Sequence, residues 1–226
     1  MTIYTAYRGT NADLVAAVTA LYVADGATVA DVTWGKGAFW RKTDTSRFRL
    51  LPSDLVLSET DVAAHDFRRL PYVDGSIDVV VLDPPYVHNP GTADKRHMTD
   101  GRYGNADTTA GMYNADILGL YREGMAEAYR VLRPDGGQLW VKCKDEVEAG
   151  VQRWSHIRLY QMALELGFCA RDLFVIIPDS RTTSNRWKRQ LHARKNHSFL
   201  WIFERPDAAY RTLLDRAPPS AARRRA

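Results

Sequence analysis

A carboxylate, two prolines and an aromatic ring follow one another at Asp83-Pro84-Pro85-Tyr86, directly after the apolar run Val79-Val80-Val81-Leu82. Each proline removes a backbone N–H and keeps its C=O, so Pro84 and Pro85 give the turn acceptors with few competing donors. Such a turn can hold an amino group. An exocyclic amine on a nucleobase has two N–H donors and a lone pair delocalised into the ring, which makes it a weak nucleophile. If the Asp83 carboxylate takes one hydrogen and the Pro84 carbonyl the other, the nitrogen is pushed toward a tetrahedral geometry and its lone pair is freed. Tyr86 is then placed to stack on an extruded base. A plain Asx/Pro turn after a strand accounts for the same four residues.

Three upstream stretches offer further chemistry. Ala27-Thr28-Val29-Ala30-Asp31 reads as a strand ending in an acid, and Val32-Thr33-Trp34-Gly35-Lys36-Gly37 follows at once. Two glycines one residue apart let the backbone turn tightly and let a ligand come close. The Gly-Lys-Ser/Thr ending of a phosphate loop is missing, as is the third glycine of a dinucleotide fingerprint, so a nucleoside-type ligand fits better than a pyrophosphate. Asp54 ends a second predicted strand, Arg47 to Asp54, where a carboxylate can accept bonds from ribose hydroxyls; a turn or helix-cap role is the alternative. Asp66 and Phe67 can hold an adenine, the carboxylate taking its amino group and the ring packing on its face. His65 beside them reads as incidental.

These residues need a scaffold, and the sequence predicts one. The continuous Val/Leu run at 79–82 is what a central parallel strand looks like, and open α/β sheets bind ligands beyond the carboxyl ends of their strands. A helix with Asn11 as its cap carries Leu14, Val15, Val18, Leu21 and Tyr22 on one face. A second helix, capped by Asn114, repeats Ile117, Leu118, Tyr121, Met125, Tyr129 and Leu132, and ends at Arg133-Pro134-Asp135-Gly136-Gly137. The strand Gln138 to Cys143 comes next, followed by a helix over 155–166 stopped at Gly167. Strands at 173–177 and 198–203 have no helix-length segment between them, so an antiparallel pair is expected at the end of the sheet. A chain of 226 residues suits one such α/β domain with a single core.

Composition narrows the partners. Hydrophobic and charged contents of 45% and 26% are ordinary for a soluble globular protein. No apolar run approaches a membrane span, and Met1-Thr2-Ile3-Tyr4 has no basic flank, so a cytoplasmic protein with no membrane partner is expected. Cys143 and Cys169 lack metal-ligand spacing and read as buried thiols, with no metal site. The net charge is only +4, but Arg181, Arg186, Lys188, Arg189, His192, Arg194 and Lys195 fall in a stretch with Trp187 and no acid. That is the electrostatic footprint of a phosphate-backbone contact, with a solvated charge run as the alternative. A long stretch from Val87 to Tyr113 leaves directly from the proposed amine-holding turn and reads as a substrate-gripping loop, with Lys95, Arg96, His97, Arg102 and Tyr103 as contacts; a solvated loop is the alternative.

Taken in order, Asp31-Val32-Thr33-Trp34-Gly35-Lys36-Gly37, Asp54, Asp66-Phe67 and Asp83-Pro84-Pro85-Tyr86 resemble the amino-methyltransferases that act on DNA adenine N6 or cytosine N4, whose mark is the Asp-Pro-Pro-Tyr motif. The Arg133-Pro134-Asp135-Gly136-Gly137 turn is similar to class I S-adenosylmethionine-dependent methyltransferases generally. The resemblance covers roughly 11–203. It implies an α/β, Rossmann-like class I methyltransferase fold, mainly parallel with an antiparallel last strand, in one domain over 1–205 followed by a basic tail over 206–226. It implies S-adenosyl-L-methionine as cofactor, with Asp31, Thr33, Gly35 and Gly37 around its methionine part, Asp54 at its ribose, and Asp66 with Phe67 at its adenine. Asp83, Pro84, Pro85 and Tyr86 would hold the target base.

Aspartate at the first motif position is similar to the adenine enzymes, so adenine N6 is expected before cytosine N4. DNA is the expected partner, with an RNA base amine as the alternative. A further rival is a catalytically silent methyltransferase-like subunit, against which the intact Asp83 and both glycines stand. Trp34 and Lys36 depart from the small residues more usual in the family's loop. No substantial target-recognition domain follows the core, so specificity is expected from the loop at 87–113, the insertion at 181–196, or a partner subunit or homodimer, or else to be weak.

Overall fold

The computed structural model describes residues 2–55, 62–85, 113–179, 190–208 and 212. Its centre is one eight-stranded sheet. The strands are β1 (Ala6–Arg8), β2 (Thr28–Asp31), β3 (Arg49–Asp54), β4 (Ala63–Ala64), β5 (Val79–Leu82), β6 (Gln138–Cys143), β9 (Cys169–Ile177) and β10 (Ser198–Glu204), while β7 (Glu146–Glu148) and β8 (Val151–Arg153) form a separate hairpin. The order across the sheet is β1-β9-β10-β6-β5-β2-β3-β4. β5 lies in the middle and is buried along its whole length, as its unbroken Val/Leu run requires.

Every pairing in this sheet is parallel except the two made by β10. The expected antiparallel pair of β9 and β10 is present, but not at the sheet's end. β10 inserts between β6 and β9, and the edge is β1, paired in parallel with β9. The reason is burial: Ser198–Glu204 carries apolar side chains on both faces and needs a neighbour on each side, which an edge cannot supply. β1 has only three residues, too few for a period to show in the sequence.

Among the described residues three α-helices cover the faces. α1 (Asn11–Tyr22) packs Leu14, Val15 and Val18 on Val29, Val79, Val81, Trp140, Leu200 and Ile202. On the other face α2 (Asn114–Val131) and α3 (Ser155–Glu165) bury Ile117, Tyr121, Met125, Leu159 and Ala163 on Val80, Leu82, Leu139, Val141 and Phe203. Both predicted caps move by one residue. Thr10 caps α1, its hydroxyl accepting the Asp13 N–H while the Asp13 carboxylate accepts the Thr10 N–H. Tyr113 occupies the cap of α2, and Asn114 is its first helical residue, bonding Glu148, Glu146 and Ser155 to dock the β7–β8 hairpin.

Cys143 and Cys169 are buried free thiols, as expected. Among the described residues no helix is long and apolar enough to cross a membrane, and no cluster of three or more His, Cys, Asp or Glu could hold a metal ion.

Candidate active site

β2 and β5 are neighbours, but β2 continues outward to β3 while β5 continues the opposite way to β6. A sheet that reverses its winding in this way opens a crevice beyond the carboxyl ends of the two strands. Asp31 ends β2, and Asp83 follows β5 by one residue, so both predicted acids stand at that crevice.

The two segments that cross there are bonded to each other. The Val32 N–H donates to the Val81 carbonyl at 3.2 Å, and the Asp83 N–H donates to the Thr33 hydroxyl at 2.7 Å. Thr33 is in turn held by its own N–H on Asp31 Oδ1 at 3.1 Å. The glycine loop then turns through two left-handed residues, Gly35 at φ 56° and Gly37 at φ 63°. The Trp34 indole fills the space beside Gly37, where an added Cβ would lie 2.6 Å from the ring, so the large residue at 34 is matched by a glycine that must stay bare. A Cβ at Gly35 would meet nothing, which leaves open space for a ligand. Asp54 Oδ2 accepts the Gly35 N–H at 2.7 Å, and Ser53 accepts the Trp34 N–H, so β3 braces the loop from the far side.

Burial dominates the electrostatics. The Asp31 carboxyl is pushed up to about 7 by its removal from water; bonds from the Trp40 indole N–H at 2.6 Å and the Thr33 N–H pull it back, and the charges of Asp83 and Asp54 add to the rise. The Asp83 carboxyl is pushed up to about 6, again by burial, against the pull of Lys142. Asp83 Oδ1 is enclosed and has no hydrogen-bond partner among the described residues. A buried acceptor left unpaired costs roughly 1–3 kcal/mol, a cost that a donor entering the crevice would offset. An amine N–H is such a donor. Buried Lys142 donates to the Ser198 hydroxyl at 2.6 Å, and burial holds its ammonium below the usual lysine range.

The other predicted residues fall into three groups. Pro84 is buried and Pro85 half-buried beside Asp83, while Tyr86, Lys95, Arg96, His97, Arg102 and Tyr103 lie outside the described residues, as do Arg181, Arg186, Lys188 and Arg189. Arg194 is exposed and Lys195 half-buried, with its Nζ on the Ala193 carbonyl. Both precede Ser198, which sits at the Cys143 end of β6, so residues 190–197 reach the sheet on the same rim as Asp83. Asp66 and Phe67 are placed differently from expectation. Both Asp66 oxygens are bonded by the Arg68 side chain at 2.8–3.1 Å, which holds the carboxyl below its ordinary range, and the Phe67 ring is core, packed on Gly124 of α2.

Trp40, Lys142 and Ser198 are site residues that the sequence did not announce. For Lys142 a signal existed: a lysine interrupts the otherwise apolar Leu139-Trp140-Val141-Lys142-Cys143.

No protein-family model and no curated relative matches the sequence. Solved structures do resemble it. A SAM-dependent methyltransferase from Methanosarcina mazei is 10% identical, with 84% of this chain and 97% of that one covered at a TM-score of 0.52. The 1,6-didemethyltoxoflavin-N1-methyltransferase of Burkholderia thailandensis is 13% identical over 88% of this chain and 79% of that one, at 0.53. This chain has the class I methyltransferase fold. A methyltransferase fold does not by itself fix a reaction, since a (4+2)-cyclase is 14% identical over 86% of this chain and 80% of that one, at 0.50. What this methyltransferase fold does has to be read from the crevice.

Proposed function

We propose that the chain is an S-adenosylmethionine-dependent methyltransferase acting on an exocyclic amino group of a DNA base, with adenine N6 preferred. The observation that carries this is the enclosed, unpartnered Oδ1 of Asp83, at the first position of an Asp-Pro-Pro turn tied through Thr33 to the glycine loop.

The residues present fit the cofactor. Gly35 faces open space, Asp54 stands behind it at the end of β3, and Asp31 lines the floor at the end of β2. Bound there, S-adenosylmethionine would supply a methyl group already activated by its sulfonium charge, so the protein needs to position more than to activate. Asp83 and the Pro84 carbonyl accept the two hydrogens of the target amine and turn its lone pair outward. The methyl would leave the sulfonium, which would depart as a neutral thioether, and the positive charge gained by the nitrogen would be stabilised by the fixed Asp83 carboxylate. The surplus proton leaves to water afterwards.

Nucleic acid is favoured as substrate by the basic stretch at 181–196, whose described part joins the sheet on the rim that carries Asp83. RNA shares the phosphate backbone and is the second reading on the same observation. A partner subunit or a second copy of the chain would add sequence specificity.

Incubation with isotopically labelled S-adenosylmethionine and, separately, duplex DNA, single-stranded DNA and RNA, followed by digestion to nucleosides and mass spectrometry, separates these readings. N6-methyladenine in a DNA arm is expected. Methylation confined to RNA or to cytosine N4 would move the substrate assignment. No methylated nucleoside in any arm, from protein that still binds DNA, would overturn the enzyme reading in favour of a binding subunit.

A further inference from the structure

We propose that Lys142 is a positioning residue for Asp83, its ammonium serving as the fixed counter-charge of the amine-holding turn. The inference rests on the methyltransferase reading above and adds a residue to its machinery.

Sheet register places the two side by side. β5 and β6 run parallel with Leu82 opposite Val141, so Asp83 and Lys142 occupy the next rung of the ladder, on chains about 5 Å apart. Alternation then fixes their face. Val79, Val81 and Trp140 pack under α1, whereas Val80, Leu82, Leu139 and Val141 pack under α2 and α3. Asp83 and Lys142 therefore both project to the α1 side, as does Asp31, which pairs with Val81. Leu200 and Ile202 of β10 belong to that same core, which puts Ser198 on the α1 side as well. Four adjacent strands, β2, β5, β6 and β10, thus present Asp31, Asp83, Lys142 and Ser198 along one rim of one face.

Within this row the charges have few partners. Asp31 is bonded by Trp40 and Thr33, and Lys142 by the neutral Ser198, while Asp83 Oδ1 has no bond among the described residues. The titratable groups interacting with the Asp83–Lys142 pair are Asp31 from β2, Cys143 from the opposite face of β6 and Lys144 beyond it, and Asp54 from β3 acts on Asp31. Lys142 and Asp83 are the opposite charges on neighbouring strands of this row, and each acts on the other. A buried ammonium is costly without a counter-charge, and an apolar residue would fill this strand position more cheaply. What the lysine adds is an electrostatic hold on Asp83, which must carry its negative charge to stabilise the positive charge that would grow on the amine. Ser198 anchors the ammonium two residues from Asn196, at the end of the basic stretch, so the same bond links the substrate-facing segment to the site.

The test compares full-length wild type with Lys142→Met and Lys142→Arg. Two quantities are read: the titration midpoint of the Asp83 carboxyl, by NMR with carboxyl-labelled aspartate assigned through Asp83→Asn, and the pH dependence of kcat for base methylation. An opposite charge a few ångströms away shifts a carboxyl by about 1–3 units. Lys142→Met is expected to raise the Asp83 midpoint and the acid limb of kcat together by about one unit or more, with Lys142→Arg restoring both and S-adenosylmethionine affinity staying within a few-fold. An Asp83 midpoint unchanged in folded Lys142→Met overturns the proposal. If the midpoint shifts but wild type methylates no substrate, the Lys142–Asp83 coupling stands and the methyltransferase reading falls. Ser198→Ala, which releases the ammonium without removing it, carries the same test if Lys142→Met does not fold. A smaller rise is then expected, and no rise at all is the contrary result.

Discussion

The Thr33 hydroxyl accepts the backbone N–H of Asp83 at 2.7 Å, and through this bond the glycine loop and the proline turn hold each other in place. In the proposed function one segment is the floor of a cofactor crevice and the other the grip on an amine, so their relative position would decide whether a methyl group and a lone pair can align. Register at the carboxyl ends of β2 and β5 brings the two chains together, and Thr33 locks Asp31 at the end of β2 to Asp83 just beyond β5.

Removing the lock has a defined cost. Thr33→Val keeps the shape but leaves the Asp83 N–H without an acceptor, which is worth roughly 1–3 kcal/mol for a buried donor. Thermal unfolding should show a drop of several degrees, and methyl transfer should fall at least tenfold, since an ångström of misplacement is enough for that. Thr33→Ser, which retains the oxygen, should recover most of both.

Gly37 and Gly35 should respond differently to the same change. Gly37→Ala meets the Trp34 indole at 2.6 Å in addition to its left-handed backbone, whereas Gly35→Ala meets only the backbone strain, of the order of 1 kcal/mol. Thermal unfolding should show the larger loss of stability for Gly37→Ala. Adding Trp34→Ala should return part of it.

Asp83 makes a stability prediction with a definite sign. Its carboxyl is pushed up from 3.8 to about 6 by burial, so between those values the folded chain keeps a proton that the unfolded chain has released. Stability therefore falls as pH rises through that window and stays lower above it. Asp83→Asn cannot ionise, and at neutral pH it should be more stable than wild type by about 1 kcal/mol, a figure reduced for the residue's partial exposure, with the gap closing near pH 4. Denaturant unfolding at the two pH values measures it; a variant less stable at neutral pH contradicts the burial argument.

Sequence carried the fold a long way, for physical reasons that also mark where it stopped. The Val79-Val80-Val81-Leu82 run and its breaking prolines located the central strand and the turn, because period and proline chemistry are local. The place of β10 between β6 and β9 was hidden, since partner choice in a sheet is not local. Asp31, Gly35, Gly37, Asp54 and Asp83 stand together at the crevice as expected from strand ends. Phe67 went to the core instead because its neighbour across space, Gly124, sits 57 residues away in sequence and leaves a hollow that fits the ring. A lone lysine in a strand, as at Lys142, reads by itself as an exposed face, and only register with Asp83 gives it another meaning.

The basic rim predicts a salt effect. Arg194→Ala with Lys195→Ala should weaken DNA binding about equally for all sequences and reduce the slope of log K against log salt by roughly one to two. Fluorescence anisotropy across a salt series reads that slope. An unchanged slope would return these residues to the solvated surface.

The central claim is that Asp83 holds the acceptor amine beside a bound cofactor, and Asp83→Ala tests it most directly. Wild type and variant are incubated with labelled S-adenosylmethionine and duplex DNA, digested, and compared by nucleoside mass spectrometry, with cofactor affinity measured on the same samples. The proposed function predicts N6-methyladenine from wild type, a loss of at least a hundredfold in the variant, and cofactor affinity that stays within a few-fold. Equal methylation by the two proteins would contradict it.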